Sequence, residues 1–265
     1  MGNSISSRAT PKHRTGAAVV VQKLERAAKT GNLSLQQSKL VAVPLKVWSL
    51  ASLRTLDLSH NRLGTLPPQL ATFLQLKSLR ITNNVLTSLP PLVELAKLET
   101  LDLDHNQLTD LPPLPLKLKR LSATANAFVG TPMAIYACPK LADVDLSENA
   151  SMGAWQMPRP VDAPLLNALR CLCLDACGLR SLPAEMGAFR QMQNLSLRGN
   201  ALSAVPSALL TDTTLNQLRL DGSPMTRASF EAIPGADAFM ERMKARVDKD
   251  LHVSGGGEHL CGLSS

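Results

Sequence analysis

Aromatic residues make up only 3% of this 265-residue chain, so its core must be filled by another apolar type. No stretch of about 18 consecutive apolar residues occurs, which excludes a membrane-spanning helix of the usual kind. A secretory leader is not expected either: Met1 to Pro11 is polar, and Val19-Val-Val21 is too short for the apolar stretch of a signal peptide. The five cysteines are odd in number and lack paired spacings, which fits a reducing compartment rather than a disulfide scaffold. No phosphate-cradling glycine loop is followed by Lys-Ser/Thr, and Gly255-Gly-Gly257 opens no helix. Acidic residues are missing before Glu25, although the whole chain carries a net charge of only +7.

What the chain has in abundance is leucine at fixed offsets. Leu53-Arg-Thr-Leu56-Asp-Leu58-Ser-His-Asn61 returns as Leu98-Glu-Thr-Leu101-Asp-Leu103-Asp-His-Asn106 and as Met192-Gln-Asn-Leu195-Ser-Leu197-Arg-Gly-Asn200. Nine such phrases begin at Thr30, Leu53, Leu76, Leu98, Leu118, Leu141, Leu169, Met192 and Leu215. This is the leucine-rich-repeat pattern, and it predicts an α/β solenoid, or horseshoe, with a parallel sheet along its concave side and helical caps. In each unit the leucines of Leu-x-Leu point inward and their neighbours outward, as the two-residue period of a strand requires. Pro67, Pro90, Pro112, Pro132, Pro183 and Pro206 recur in the return segments, where irregular or short helical connectors suit a residue without an N–H. The closing position reads Ser38, Asn61, Asn84, Asn106, Asn126, Asn149, Cys177, Asn200 and Ser223. A polar ladder there would satisfy backbone groups inside the turns.

These patterns divide the chain into a leader over 1–15, a capping helix over 16–31, a solenoid over 32–225, a helical cap over 226–251 and a loose tail over 252–265. Phe230, Ile233, Phe239 and Met243 would close the last repeat, with a break near Pro234-Gly235. The sixth unit is 28 residues long, from Leu141 to Leu169, where its neighbours have 23, and it is read as holding an insertion at about 151–167. The extra residues are read either as a tolerated loop insertion or as a protruding loop with Trp155 as an anchor for a partner, since aromatic residues concentrate binding energy.

Two charged features bear on function. Met1-Gly2-Asn3-Ser4-Ile5-Ser6 matches a myristoylation signal with Gly2 as the acceptor, and Arg8, Lys12 and Arg14 could add attraction to an anionic leaflet of roughly 1 kcal/mol each. On the concave face the outward strand positions carry Asp57, Asp102, Asp104, Asp143, Asp145 and Asp175, against Arg80, Arg120, Arg198 and Arg219. An acidic inner face is a poor surface for nucleic acid and a good one for a basic protein segment. Solvated on a shallow surface, these carboxylates lack the desolvation that would split their pKa values for acid–base catalysis. Cys171-Leu-Cys173-Leu-Asp-Ala-Cys177 has no histidine to complete a zinc site, and two residues flanking Leu172 on one strand are poorly placed for a disulfide. His60 and His105 share one repeat position, which accounts for both without catalysis.

With both ends in view, the sequence resembles the family of leucine-rich-repeat-containing protein 57, small repeat proteins bearing a myristoylation signal. The likeness runs through Met1-Gly2-Asn3-Ser4, Glu25-Arg-Ala-Ala-Lys29-Thr-Gly31, Leu40-Val-Ala-Val43-Pro44 and Phe239-Met240-Glu241-Arg242, and it lapses around Trp155 and in the last dozen residues. It implies lipid attachment at Gly2 and a non-enzymatic interaction role. The expectation is a cytoplasmic, reversibly membrane-associated scaffold without cofactor or metal, binding a protein partner. The alternative is a soluble regulatory subunit that captures or targets an enzyme such as a phosphatase.

Overall fold

In the computed structural model, which describes residues 16–159, 161 and 164–251, every leucine phrase forms a three-residue strand. β1 spans Asn32–Ser34, β2 Thr55–Asp57, β3 Ser78–Arg80, β4 Thr100–Asp102 and β5 Arg120–Ser122. β6 spans Asp143–Asp145, β7 Cys171–Cys173, β8 Asn194–Ser196 and β9 Gln217–Arg219. All nine lie parallel in one sheet, in chain order. The register sets Leu33, Leu56, Leu79, Leu101, Leu121, Val144, Leu172, Leu195 and Leu218 in a single row, and each of them is buried. Parallel sheets are ordinarily covered on both faces. Here the return segments cover only the leucine face, which leaves the other polar and open.

Prolines set where the return segments turn. Pro44, Pro67, Pro132 and Pro183 immediately precede 3-10 turns over Leu45–Ser49, Pro68–Thr72, Met133–Ala137 and Ala184–Ala188. Pro206 precedes the short helix α2, Ser207–Thr211. A proline there presets φ at a helix start, where its missing N–H would have no intrahelical partner anyway.

The polar ladder fills the interior of the turns. Asn106 Nδ2 donates to the Leu103 carbonyl at 2.9 Å and to that of Ile81, in the preceding repeat, at 2.9 Å. Its Oδ1 accepts from Leu86 N at 3.1 Å. Asn61, Asn84, Asn126, Asn149 and Asn200 make equivalent sets. At Cys177 the thiol supplies the donor, to Leu146 O at 3.2 Å and Asp175 O at 3.5 Å. The two terminal serines depart from the ladder: Ser38 Oγ donates to nearby Gln36 O, and Ser223 Oγ is buried without a partner.

The residue before each ladder position is left-handed. Gln37, His60, Asn83, His105, Ala125, Glu148 and Ala176 have φ between 51° and 60°, and glycine takes the place at Gly199 and Gly222. His60 and His105 are therefore exposed members of a geometric column. Their kinship lies in backbone conformation, a property that side-chain chemistry does not require.

Both ends of the sheet are closed by helices. α1, Gly16–Thr30, buries Leu24 and Ala27 against the first repeat and stops at Gly31, whose φ of 72° terminates a helix without a Cβ penalty. α3, Arg227–Glu231, begins with a capping box between Thr226 and Ser229. α4, Ala236–Leu251, follows the break at Gly235. Phe230 and Phe239 are fully buried and meet edge to face at 5.8 Å, with Ile233 and Met243 packed beside them. Arg242 pins α4 to the last repeat through the carbonyls of Leu215 at 3.0 Å and Leu210 at 2.6 Å.

The sixth repeat corrects the reading of Trp155. This side chain is only 3% exposed and belongs to the core. It meets Tyr136 edge-on at 6.4 Å, and Tyr136 stacks in turn on Phe189 at 6.4 Å. The backbone on either side is tied down: Gln156 N donates to Thr131 Oγ1 at 2.7 Å, and the Tyr136 hydroxyl donates to Gln156 O at 2.8 Å. Lacking its Leu-x-x-Leu-Pro, the unit fills its interior with Met152, Trp155, Leu165 and Leu166 instead. Trp155 is thus unavailable as a partner anchor.

Candidate protein-interaction surface

The open face of the sheet is organised in columns. One runs Ser34, Asp57, Arg80, Asp102, Ser122, Asp145, Cys173, Ser196, Arg219 along paired positions of adjacent strands. Its neighbour runs Asn32, Thr55, Ser78, Thr100, Arg120, Asp143, Cys171, Asn194, Gln217. Asp104 and Asp175 follow two residues after Asp102 and Cys173. The six aspartates expected to meet a partner therefore share one face, although they do not form an unbroken cluster.

Much of this charge is already engaged. Arg80 pairs with Asp102 at 3.0 Å, Arg120 with Asp143 at 3.4 Å and Arg198 with Asp221 at 3.0 Å. Asp104 Oδ1 accepts from Ser122 Oγ at 2.7 Å and Thr124 N at 2.8 Å, and Asp175 Oδ1 accepts from Ser196 Oγ at 2.6 Å and Arg198 N at 2.8 Å. Asp57 and Asp145 accept from the N–H two residues on, Ser59 at 2.9 Å and Ser147 at 3.0 Å. Asp104 and Asp175 thus bridge neighbouring repeats, while Asp57 and Asp145 only close local turns.

Asp102 stands apart. Its Oδ1 is buried without a hydrogen-bond partner, and burial, followed by the like charge of Asp104, raises its pKa above the usual carboxylate value. The folded state holds the Asp102 proton more tightly than the unfolded chain does, so this group favours folding most at low pH and loses that contribution as pH rises through its raised pKa. Asp102→Asn should consequently melt at neutral pH within about 1 kcal/mol of the parent and no lower, because the burial of Asp102 offsets what its pairing with the exposed Arg80 contributes. Asp104→Ala, which strips a charged acceptor from two donors, is expected to cost about 1.5–3 kcal/mol. Denaturant melts at neutral pH check both, and a larger loss for Asp102→Asn would reverse the assignment.

Two further elements border the face, and sequence reasoning missed both. Arg54, Lys77, Glu99, Lys119, Ala142 and Arg170 stack along the N-terminal edge of the strands through their backbone bonds, with Lys119 paired to Glu99 at 2.7 Å. The sheet is therefore basic along one edge and acidic across β4 to β6, an asymmetry that can fix the direction of a charged partner. The signal was present one position ahead of each strand. At the far end, Arg246 of α4 donates to Gln217 Oε1 at 2.7 Å and Asn194 Oδ1 at 3.2 Å, so the cap reaches over β8 and β9.

The four described cysteines are held as thiols at neutral pH. Burial, then the charges of Asp145 and Asp175, pushes Cys173 up to about 12, and burial raises Cys177 and Cys138 to about 11. Cys171 is also raised, chiefly by burial. Thiolate, the reactive form, is scarce at such values. Among the described residues the four cysteines are free, and no three His, Cys, Asp or Glu side chains gather as a metal site needs. No described helix is long and apolar enough to cross a membrane.

Nine parallel three-residue strands, an asparagine ladder and one bare polar face define a leucine-rich-repeat solenoid. The leucine rich repeat family model matches residues 51–108. Among solved structures, a leucine-rich-repeat protein of Leptospira interrogans is 27% identical with a TM-score of 0.57, over 77% of this chain and 58% of its own. The chain thus spans little more than half the length of that relative. The leucine-rich-repeat domain of the type III effector XopL shares the fold at a TM-score of 0.63 and 24% identity, over 82% of this chain and 86% of that one. TLR13, solved in complex with a single-stranded RNA, gives a TM-score of 0.65 at 25% identity, over 77% of this chain and 30% of that one. No curated protein matches the chain. Leucine-rich-repeat proteins generally mediate protein–protein interaction, and their repeat domains are typically non-enzymatic.

Proposed function

We infer that the protein is a non-enzymatic interaction scaffold, N-myristoylated on Gly2, reversibly held at the cytoplasmic side of a membrane, and bound through its concave face to a protein with a basic segment. The observation that carries the partner reading is the set Asp102, Asp104, Asp143 and Asp145 on the open face across β4 to β6. A lysine or arginine brought to these carboxylates would add positive charge beside Asp102 and lower its raised pKa. The same carboxylates oppose a nucleic-acid backbone, so the RNA bound by TLR13 is not carried over to this chain. The lipid reading rests on Met1-Gly2-Asn3-Ser4-Ile5-Ser6 with Arg8, Lys12 and Arg14, which lie outside the described residues. It agrees with the likeness to leucine-rich-repeat-containing protein 57 noted at both chain ends.

Two cell experiments test these halves separately. Gly2→Ala should abolish labelling with myristate and move the protein from membrane to soluble fractions. Unchanged recovery with membranes would remove the lipid anchor, and a parent protein found only in the soluble fraction would favour the soluble regulatory subunit. Asp102→Lys with Asp145→Lys should keep the fold and the membrane association but lose the main captured protein. Retention of the same partners by the double variant would overturn the concave-face assignment.

A further inference from the structure

An apolar groove lies where the leader joins the first repeat, and nothing in the concave-face reading uses it. Val19, Val20, Val21 and Leu24 of α1 form one wall, Leu40 and Pro44 of the first return segment the other, around a cavity of about 710 Å³. That volume lies within the usual range for small-molecule pockets, about 300–1,000 Å³. The groove is not simply leftover core: Val19 and Val21 in its wall are 38% and 44% exposed, and Val41 and Leu45, next in the chain to Leu40 and Pro44, are 72% and 85% exposed. Exposed apolar side chains at the wall of a groove are a feature of interaction surfaces. No carboxylate lines the groove, whereas Lys23, Lys39 and Lys46 do.

We propose that this groove holds the chain's own acyl group, the myristoyl chain on Gly2, in an equilibrium between a sequestered and a membrane-inserted state. The proposal rests on the myristoylation reading and adds where the lipid goes when it leaves the membrane. Connectivity supports this occupant. The leader enters α1 at Gly16, three residues before Val19, the first groove residue in the chain. The fourteen residues from Gly2 to Thr15 can extend to at most about 3.3–3.6 Å each, so the acylated end reaches any part of the groove. Tethering keeps the effective concentration of the acyl group high, so modest groove affinity suffices. The three lysines face the same mouth, and an anionic leaflet approaching them would compete for the acyl chain where it is released.

A single myristoyl group binds membranes with a constant of only about 10⁴ M⁻¹, so a groove occupied ten times out of eleven lowers vesicle affinity about tenfold. The test uses the full chain co-expressed with an N-myristoyltransferase, with acylation read from intact mass. Backbone amide shifts are compared with those of Gly2→Ala, and binding is measured on phosphatidylcholine/phosphatidylserine vesicles. The expected result is a shift of amides within 19–24 and 36–40 in the acylated chain alone. Val19→Gln with Val21→Gln, both exposed and both better helix formers than valine, should abolish those shifts and raise vesicle affinity about tenfold. Acylated chain with unchanged groove amides, or equal vesicle affinity of parent and double variant, overturns the groove while leaving the lipid reading intact. Failure of the transferase to acylate the chain overturns both. Concentration-dependent shifts of the same amides in Gly2→Ala would assign the groove to a second copy of the protein and overturn the proposal.

Discussion

Trp155→Ala is expected to destabilise the protein by about 3–5 kcal/mol, the range for deleting a large buried aromatic side chain. The loss has two sources. Burial of the indole is forfeited, and the cavity left beside Tyr136 cannot collapse freely, because Thr131 and Tyr136 hold the backbone at Gln156 from both sides. Tyr136, in the fifth unit, also stacks on Phe189 in the seventh, so the defect should spread along the stack. Trp155→Phe, which keeps a ring in place, should lose less. Val161→Ala, on an exposed side chain in the same insertion, should stay within about ±0.5 kcal/mol. Denaturant melts decide: if Trp155→Ala melts with the parent, the tryptophan is no part of the core and its role as a partner anchor returns.

Asn106→Leu should cost about 1–3 kcal/mol, the penalty for leaving buried backbone groups unpaired. The leucine is near enough in size to avoid a large void, so the loss reports on hydrogen bonding. Leu86 N would lose its acceptor, and the carbonyls of Ile81 and Leu103 would lose their common donor. His105→Ala, one residue away, should fall within about ±0.5 kcal/mol, since Ala125 and Ala176 already occupy the same left-handed position. His105→Gly should be neutral or stabilising, whereas a β-branched residue there should be costly. Equal losses for Asn106→Leu and His105→Ala would mean that the ladder does not hold the turns together.

The solenoid was legible because inward leucines with a polar residue three positions after the last fix strand, register and turn at once. The nine strands begin two residues into each of the nine phrases, and Cys177 replaces asparagine without breaking the ladder. Trp155 was misread for the converse reason. In a segment with no repeat to phase it, an aromatic residue beside prolines looks alike whether it points in or out. The carboxylates were placed on the correct face, yet their engagement depends on cross-strand register. Asp104 with Ser122 and Asp175 with Ser196 pair across adjacent repeats, a pattern visible only once the phrases are aligned residue by residue. Arg246 was unreadable because its partners, Asn194 and Gln217, are brought near only by the docking of α4.

The concave-face assignment is tested most directly by the affinity of the captured partner for purified parent protein and for Asp102→Lys with Asp145→Lys, each at low and high salt. The predicted result is parent binding that weakens at least about tenfold as salt screens the acidic face, with double-variant binding weak at both salts. Equal affinity of the two proteins, unchanged by salt, would contradict a basic segment bound at β4 to β6.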